Sequence, residues 1–191
     1  MLNALPVLMV RNESLWIRWV LRPLLKVFER VLVADTGSTD TTVEIVRSLV
    51  PPGQLILKDY GEQTPAGLTE VRNSTMTLAG ELGYDLVFLV DGDEIYTEAS
   101  LRSIDEQGFQ AGKRFGFTTM LPVEKDDEGL YDYWELDDPF SRVAVYTSDT
   151  RFRRPYPREL PTGWSNVRQN RFTYELHNGA RYHAVHMKRC P

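Results

Sequence analysis

Cysteine is almost missing from this sequence, and long apolar runs are missing altogether. Cys190 is the only cysteine among 191 residues, so no internal disulfide can form, and a reducing compartment is the simplest expectation. No apolar stretch approaches the roughly 20 residues that cross a bilayer, and the first residues lack the basic region of a signal peptide. We therefore expect a soluble, cytoplasmic protein without a membrane span.

Positive charge is also scarce over most of the chain. The sequence has 22 Lys and Arg against 27 Asp and Glu, a net charge of -5, which predicts no general attraction to nucleic acid. Residues 151–191 are the exception, with nine basic side chains and two Glu. This basic segment either packs across the acidic body or turns some of its arginines towards a diphosphate or an anionic acceptor.

In the first half, short apolar runs alternate with helical patterns. This alternation predicts the α/β class, with a mostly parallel, Rossmann-like central sheet flanked by helices. The second half has weaker patterns and predicts a smaller, irregular C-terminal part. The expected strands of the first half are Leu5 to Val10, Val31 to Ala34, Leu55 to Leu57 and Asp85 to Val90. The helices expected between them start at Ser14, Thr41 and Leu68.

The sharpest chemical signal is Asp91-Gly92-Asp93, directly after the apolar run YDLVFLV. Two carboxylates at the mouth of a buried strand can hold a divalent ion, which in turn binds the phosphates of a nucleotide. Gly92 lets the backbone approach closely. An acidic turn can also be purely structural, but a strand end is a poor place for acids that meet no cation or ligand.

A second signal is VADTGSTD, where Asp35 leaves a strand and a Gly37-Ser38 turn opens a helix. A carboxylate there can accept a hydrogen bond from the imide of a uracil, so we interpret Asp35 as functional. We interpret residues 38–40 as mainly structural, with Ser38 or Thr39 capping the helix.

Four motifs in order resemble glycosyltransferase family 2, whose members have the GT-A fold. The motifs are VRNES after the first strand, VADTGSTDTT after the second, VRNS at residues 71–74 and LVDGDE after the fourth. The resemblance covers roughly residues 5–100. It implies a nucleotide-sugar-binding half at residues 1–100 and an acceptor-binding, metal-closing half of the same single domain at residues 101–191.

The resemblance also implies roles for individual residues. Asp35 would contact the nucleotide base, Arg72 would lie near base and phosphates, and Asp93 would ligate Mn²⁺ or Mg²⁺. Asp91 would lie near the ribose and the metal. The nucleotide pocket would be lined by backbone atoms of Val10, Arg11 and Asn12.

The general base and the last metal ligand are predicted in the second half. Some family members carry a His-Glu pair where this sequence has Arg158 and Glu159, so Glu159 is the candidate base, with a surface ion pair as the alternative. Asp137 and Asp138 are rival bases. Because members of the fold often close the metal site with a late histidine, His183 and His186 are candidate ligands. One of them at most is expected to bind, and His186 is favoured.

The sequence therefore predicts a metal-dependent hexosyltransferase that uses a UDP-sugar, UDP-glucose first, and the family resemblance implies inversion of the anomeric centre. Its partners would be the UDP-sugar and an acceptor hydroxyl on a carbohydrate or another molecule. One alternative is a sugar-phosphate nucleotidyltransferase, which would usually carry a Gly-rich basic loop where this chain has VRNES. Another is a non-catalytic nucleotide-sugar-binding module, which would bind the donor without turnover.

Overall fold

Helices alternate with strands along the first half of the chain. The computed structural model describes the backbone of residues 4–106, 115–125, 131–135, 140–142, 145–153, 160–161 and 183–186, and the side chains of residues 4–102 and 146–153. The helices are α1 (Ile17–Val27), α2 (Thr42–Leu49), α3 (Pro65–Glu81) and α4 (Glu98–Glu106). The first strands are β1 (Ala4–Val10), β2 (Val31–Asp35), β3 (Leu55–Asp59), β4 (Leu86–Asp91) and β5 (Glu94–Tyr96). The later ones are β6 (Phe115–Lys125), β7 (Tyr131–Glu135), β8 (Phe140–Arg142), β9 (Val145–Thr147), β10 (Phe152–Arg153), β11 (Leu160–Pro161) and β12 (His183–His186).

The central sheet has the strand order β3, β2, β1, β4, β9. Its first four strands are parallel, and β9 runs antiparallel to β4. A second sheet has the order β5, β12, β6, β7, with β8 also paired to β6. The predicted class and the mostly parallel central sheet are confirmed.

The central strand β1 is apolar throughout because both of its faces are covered. Ala4, Leu8 and Val10 pack into a core with α1, α2 and α4, whereas Leu5 and Val7 pack into a second core with α3. Successive strand residues point to opposite faces, so a strand covered on both sides needs a continuous apolar run. This burial fixes where β1 ends and therefore where the polar residues after it begin.

Helix α1 begins at Ile17, three residues after the expected start at Ser14, and it contains a proline. Pro23 lies inside the helix, which continues to Val27, because the buried face formed by Leu21, Leu24 and their neighbours outweighs the cost of proline. Ser14 does not cap the helix; its backbone N–H donates to Asp40 Oδ2 at 3.1 Å. Within the described ranges, no helix combines the length and the hydropathy needed to cross a membrane.

Helix α3 and some of the short strands also differ from the sequence interpretation. Helix α3 begins at Pro65, three residues before the expected start, because Thr64 caps it by accepting from the N–H of Gly67 at 3.1 Å. Proline suits the first helical position, where its missing N–H costs nothing. The short strand β5 was not predicted, and in the second half the stretch from Arg142 to Tyr146 is divided between β8 and β9, which pair with different strands.

Candidate active site

The acids predicted to lie at the sheet edge do lie there. In the parallel register Val10 of β1 pairs with Asp35 of β2, and Met9 pairs with Asp91 of β4. Because β1 separates the two acids, their Cα atoms are two strand spacings apart, about 10 Å. Open α/β sheets bind ligands at this carboxyl edge.

A cavity of about 280 Å³, here called the cleft, opens at the end of β1 and β4. It collects six of the eight predicted nucleotide-binding residues. These are Val10, Arg11, Arg72, Asp91, Gly92 and Asp93, and the wall also includes Met9, Glu13, Thr36 and Leu68. The cleft therefore combines carboxylates and guanidinium groups, which suits a metal ion and a phosphate group together.

The Asp91-Gly92-Asp93 turn is held by the strand that follows it. Asp93 is buried, with 3% of its surface exposed. The buried carboxylate of Glu94 accepts from the backbone N–H of Asp91 at 3.3 Å and from the hydroxyl of Tyr96 at 3.1 Å. Glu94 thus holds Asp91, the first residue of the turn, and this support comes from β5.

Gly92 is required by close packing beneath the turn. A Cβ atom at this position would lie 2.8 Å from Cγ of Glu13 and 3.1 Å from Cγ1 of Val10. Such distances are too short for carbon atoms, which prefer about 3.5 to 4.0 Å. The predicted close backbone approach at Gly92 is therefore an approach to Glu13.

Glu13 is a residue of the cleft that sequence reasoning missed. Its side chain is buried, with 2% exposed, and its backbone N–H donates to Oγ1 of Thr42 at 2.8 Å. Glu13 lies three residues after the end of β1, and Asp93 lies two residues after the end of β4. The strand-end argument used for Asp93 would have identified Glu13 as well.

Asp35 is buried, but it lines a different cavity. Its carboxylate accepts from the backbone N–H groups of Gly37 at 3.3 Å and Ser38 at 3.1 Å. This second cavity, about 490 Å³, is lined by Asp35, Asp59, Arg47 and apolar residues of α2, of β3 and of the turn between them. Asp59 pairs with Asp35 across β2 and β3, so this end of the edge carries a second acid that the sequence interpretation did not single out.

Asn12 does not line the cleft; it joins two loops. It has a positive φ of 57°, which asparagine tolerates better than most residues. Its Oδ1 accepts from the N–H of Thr39 at 2.8 Å, and its own N–H donates to Oγ of Ser38 at 3.0 Å. Asn12 thereby fixes the loop after β1 against the loop after β2.

Asp40 strengthens the same junction. Partial burial pushes the pKa of its carboxyl upward, but hydrogen bonds from Thr42 and Ser14 outweigh burial and lower the pKa to about 2. Asp40 Oδ1 accepts from the N–H of Thr42 at 3.0 Å. The residue preceding α2 is Thr41, not Ser38 or Thr39, and it makes no side-chain cap.

Gly37 allows the loop after β3 to pack against the loop after β2. It has a φ of 94°, and a Cβ there would lie 2.7 Å from the backbone nitrogen of Glu62. Glu62 in turn accepts from Arg11 at 2.7 Å, with both side chains largely exposed. An exposed ion pair of this kind stabilises a fold by about 0 to 1 kcal/mol, so its main effect is to orient Arg11 at the rim of the cleft.

Arg72 reaches the cleft from α3. Its guanidinium carbon lies 5.4 Å from the centre of the Phe152 ring, within the range of a cation–π contact. The next residue, Asn73, bonds to the backbone of Phe152 at both its N–H and its carbonyl. Arg72 therefore lines the cleft, whereas Asn73 contacts strand β10.

The described side chains do not form a complete protein cage for a metal. Among them, no three His, Cys, Asp or Glu side chains are grouped closely enough to hold an ion. Of the predicted ligands, Asp91 and Asp93 line the cleft. Mg²⁺ is commonly bound by one or two carboxylates together with substrate phosphates, so this pair fits a cation that arrives with a diphosphate.

The two histidines differ in their register on β12. His186 pairs with Glu94, one residue from Asp93, whereas His183 pairs with Thr118 of β6. Their side chains lie outside the described set. Glu159, Asp137 and Asp138, the candidate bases, also lie outside the described residues.

The fold is similar to that of solved structures of TarS. A crystal structure of TarS from S. aureus aligns with a TM-score of 0.51 and 18% identity over 80% of this chain and 30% of TarS. TarS 1-349 in complex with UDP aligns with a TM-score of 0.50 and 18% identity over 80% of this chain and 50% of that one. The complex with UDP-GlcNAc gives 0.50 and 17%, over 80% and 49%.

The likeness concerns structure rather than sequence. No protein-family model and no curated protein sequence matches the chain, and the chain spans between about a third and a half of the TarS chains with which it aligns. At these identities the comparison establishes the architecture alone. The chain has the GT-A fold, with its candidate site at the edge where that fold's parallel strands end.

Proposed function

We propose that the chain is a metal-dependent glycosyltransferase that transfers a hexose from a UDP-sugar to an acceptor hydroxyl with inversion. The observation that carries this proposal is the cleft, in which the Asp91-Gly92-Asp93 turn and Arg72 lie together. Carboxylates for a cation and a guanidinium for a phosphate are the two requirements for binding a nucleotide diphosphate.

Asp91 and Asp93 would hold Mn²⁺ or Mg²⁺, with His186 as a further ligand. When bound, the ion neutralises charge on the diphosphate leaving group. The register that sets His186 beside Glu94 supports the choice of this histidine over His183. Cytoplasmic location and the division of the domain near residue 100 remain predictions.

The arginines have a separate task. Arg72 and Arg11 line the same cleft and would share the negative charge that develops on the departing diphosphate. Donors held in place before the reaction stabilise such charge most effectively because they need not reorganise. Glu94 and Phe152 hold the aspartate turn and Arg72 in this arrangement.

Asp35 would recognise the base. Its carboxylate already accepts from Gly37 and Ser38, but two carboxylate oxygens offer about four acceptor positions. One of these would accept from the imide of uracil. TarS 1-349 forms complexes with UDP and UDP-GlcNAc, which supports a uridine donor here and adds UDP-GlcNAc to UDP-glucose as a donor to test.

A base is needed on the acceptor side to remove the hydroxyl proton. Glu159 is the proposed base, with Asp137 and Asp138 as rivals. Glu159 directly precedes Leu160 of β11, which pairs with Arg153 of β10. Inversion of the anomeric centre depends on that assignment.

Release of UDP from UDP-glucose and UDP-GlcNAc, with Mn²⁺ and a panel of hydroxyl acceptors, tests the proposal. Asp93→Asn should lower turnover by about 100-fold or more, as removal of a group that stabilises transition-state charge does. Asp85→Asn is the matched control, because Asp85 is exposed and precedes the opposite end of β4. It should leave turnover unchanged.

The same measurements separate the alternatives. Pyrophosphate release from UTP and a sugar phosphate would identify a nucleotidyltransferase. Tight UDP-sugar binding with no transfer over long incubation would identify a binding module. Full activity of Asp93→Asn in the presence of a metal chelator would overturn the metal-dependent mechanism.

A further inference from the structure

Phe152 lies between the donor cleft and the body of the protein. Its ring is almost fully buried, with 6% exposed. One neighbour is the guanidinium of Arg72, at 5.4 Å from the ring centre. Another is Tyr146, whose ring packs edge-on at 5.2 Å and 71°, a favourable aromatic geometry.

The backbone of Phe152 is fixed by a single side chain. The N–H of Phe152 donates to Oδ1 of Asn73 at 2.7 Å, and Nδ2 of Asn73 donates to the carbonyl of Phe152 at 3.0 Å. An amide side chain has one acceptor and one pair of donors, so it can satisfy both backbone groups of one residue. Asn73 therefore binds β10 much as a neighbouring strand would.

Arg72 and Asn73 are consecutive residues of α3, so their side chains leave the helix about 100° apart. That angle lets Arg72 line the cleft while Asn73 bonds to β10. The two contacts form a closed circuit that runs from Arg72 through the side chain and the backbone of Phe152 to Asn73 and back to α3. A long arginine side chain has many rotamers, and this set of contacts restricts them.

We infer that Phe152 and Asn73 are positioning residues that hold the guanidinium of Arg72 in the cleft, ready to bind the diphosphate of the donor. This rests on the proposed function, in which Arg72 binds that diphosphate. The benefit is preorganisation, because an arginine that is already fixed loses less freedom when it binds a ligand. Neither residue needs to touch the donor.

The test is a double-mutant cycle on UDP binding, measured by calorimetry with Mn²⁺ present. Phe152→Leu keeps an apolar side chain but removes the ring, and it should weaken UDP binding about three- to tenfold, the range expected for a lost cation–π contact. Arg72→Ala should weaken binding further. In the Arg72→Ala background, Phe152→Leu should have no additional effect, because the group it positions is gone.

Phe28→Leu is the matched control. Phe28 is also buried, but it packs in the core on the α1 side of the sheet against Phe88. The same loss of a ring should lower the melting temperature there and leave UDP binding unchanged. Asn73→Ala is a second route to the same answer, since it removes both hydrogen bonds to the Phe152 backbone without adding a charge near the diphosphate. It should reproduce the weakened binding of Phe152→Leu.

Two outcomes have different meanings. If wild type binds UDP and Arg72→Ala weakens it, yet Phe152→Leu matches wild type or adds fully to Arg72→Ala, the positioning role is wrong while the proposed function stands. If wild type does not bind UDP at millimolar concentration, the proposed function fails, and the positioning role fails with it. Circular dichroism of each variant identifies any that do not fold; if Phe152→Leu does not fold, Asn73→Ala decides.

Discussion

Replacing Gly92 with alanine adds one methyl group at the most crowded point of the candidate site. The position is buried and lies between the two aspartates of the turn. Its φ does not lie in the left-handed region, so alanine meets no backbone penalty. Any effect of Gly92→Ala therefore comes from contact of the new methyl group with Glu13 and Val10.

The size of that effect follows from two distances. The new Cβ would lie 2.8 Å from Cγ of Glu13 and 3.1 Å from Cγ1 of Val10, against about 3.5 to 4.0 Å for carbon atoms in ordinary contact. Cγ of Glu13 lies near the backbone, and the side chain is 2% exposed, so it cannot simply swing into solvent. Overpacking of this kind costs about 1 to 3 kcal/mol, which for a domain of this size lowers the melting temperature by about 2 to 12 °C.

Thermal and urea unfolding, followed by circular dichroism, measure the change. Gly53→Ala is the matched control, because a Cβ at Gly53 meets nothing within 4 Å; its stability should stay the same or rise slightly. Glu13→Ala combined with Gly92→Ala should be less destabilised than the sum of the two single variants, since the clash loses one partner. An unchanged melting temperature for Gly92→Ala, or strict additivity with Glu13→Ala, would refute the packing argument.

Two further predictions concern the loops that frame the cleft. The pKa of Asp40 is lowered to about 2 from 3.8, so the contribution of its carboxylate to stability is complete above about pH 4 and is lost as the pH falls towards 2. The difference in unfolding free energy between wild type and Asp40→Asn should therefore narrow between about pH 4 and pH 2. A difference that stays constant over this range would contradict the assignment. Gly37→Ala should lower the free energy of unfolding, measured by urea titration, more than Gly83→Ala does. Both glycines have positive φ, but only a Cβ at Gly37 meets backbone atoms of Glu62. Equal losses of unfolding free energy would show that the loops do not pack as described.

Local pattern was sufficient to predict the elements that carry the acids. The apolar runs before Asp35 and Asp91 are long enough to identify buried strands, and a parallel sheet brings their ends to one edge. Those expectations depend on short stretches of sequence and on one general rule. The same rule, applied to β1, identifies Glu13 as well. Glu13 was overlooked because it belongs to the VRNES motif, whose expected role rested on backbone atoms.

What the sequence could not provide is pairing between distant segments. Strand β5 has three residues and owes its existence to pairing with β12, some 90 residues later. Likewise, the division of Arg142 to Tyr146 into two strands follows from the different partners of β8 and β9. The family resemblance placed Asn12 and Asp35 in one nucleotide pocket. In the structure, Asn12 is fixed by a hydrogen bond from Thr39 in the loop after β2, and the carboxylate of Asp35 accepts from Ser38 in the same loop.

The junctions between the two halves of the chain explain why the candidate site needs both. Strand β9 pairs with β4, which ends at Asp91. Strand β12 pairs with β5, which begins directly after Asp93. Asn73, which directly follows Arg72, is hydrogen-bonded to β10. Each junction therefore lies close in sequence to a residue of the cleft. Because a strand that loses its partner exposes unpaired backbone groups, removing the second half would loosen the aspartate turn and Arg72 together. A chain cut near residue 100 would keep the residues that line the cleft but not the contacts that hold them in place.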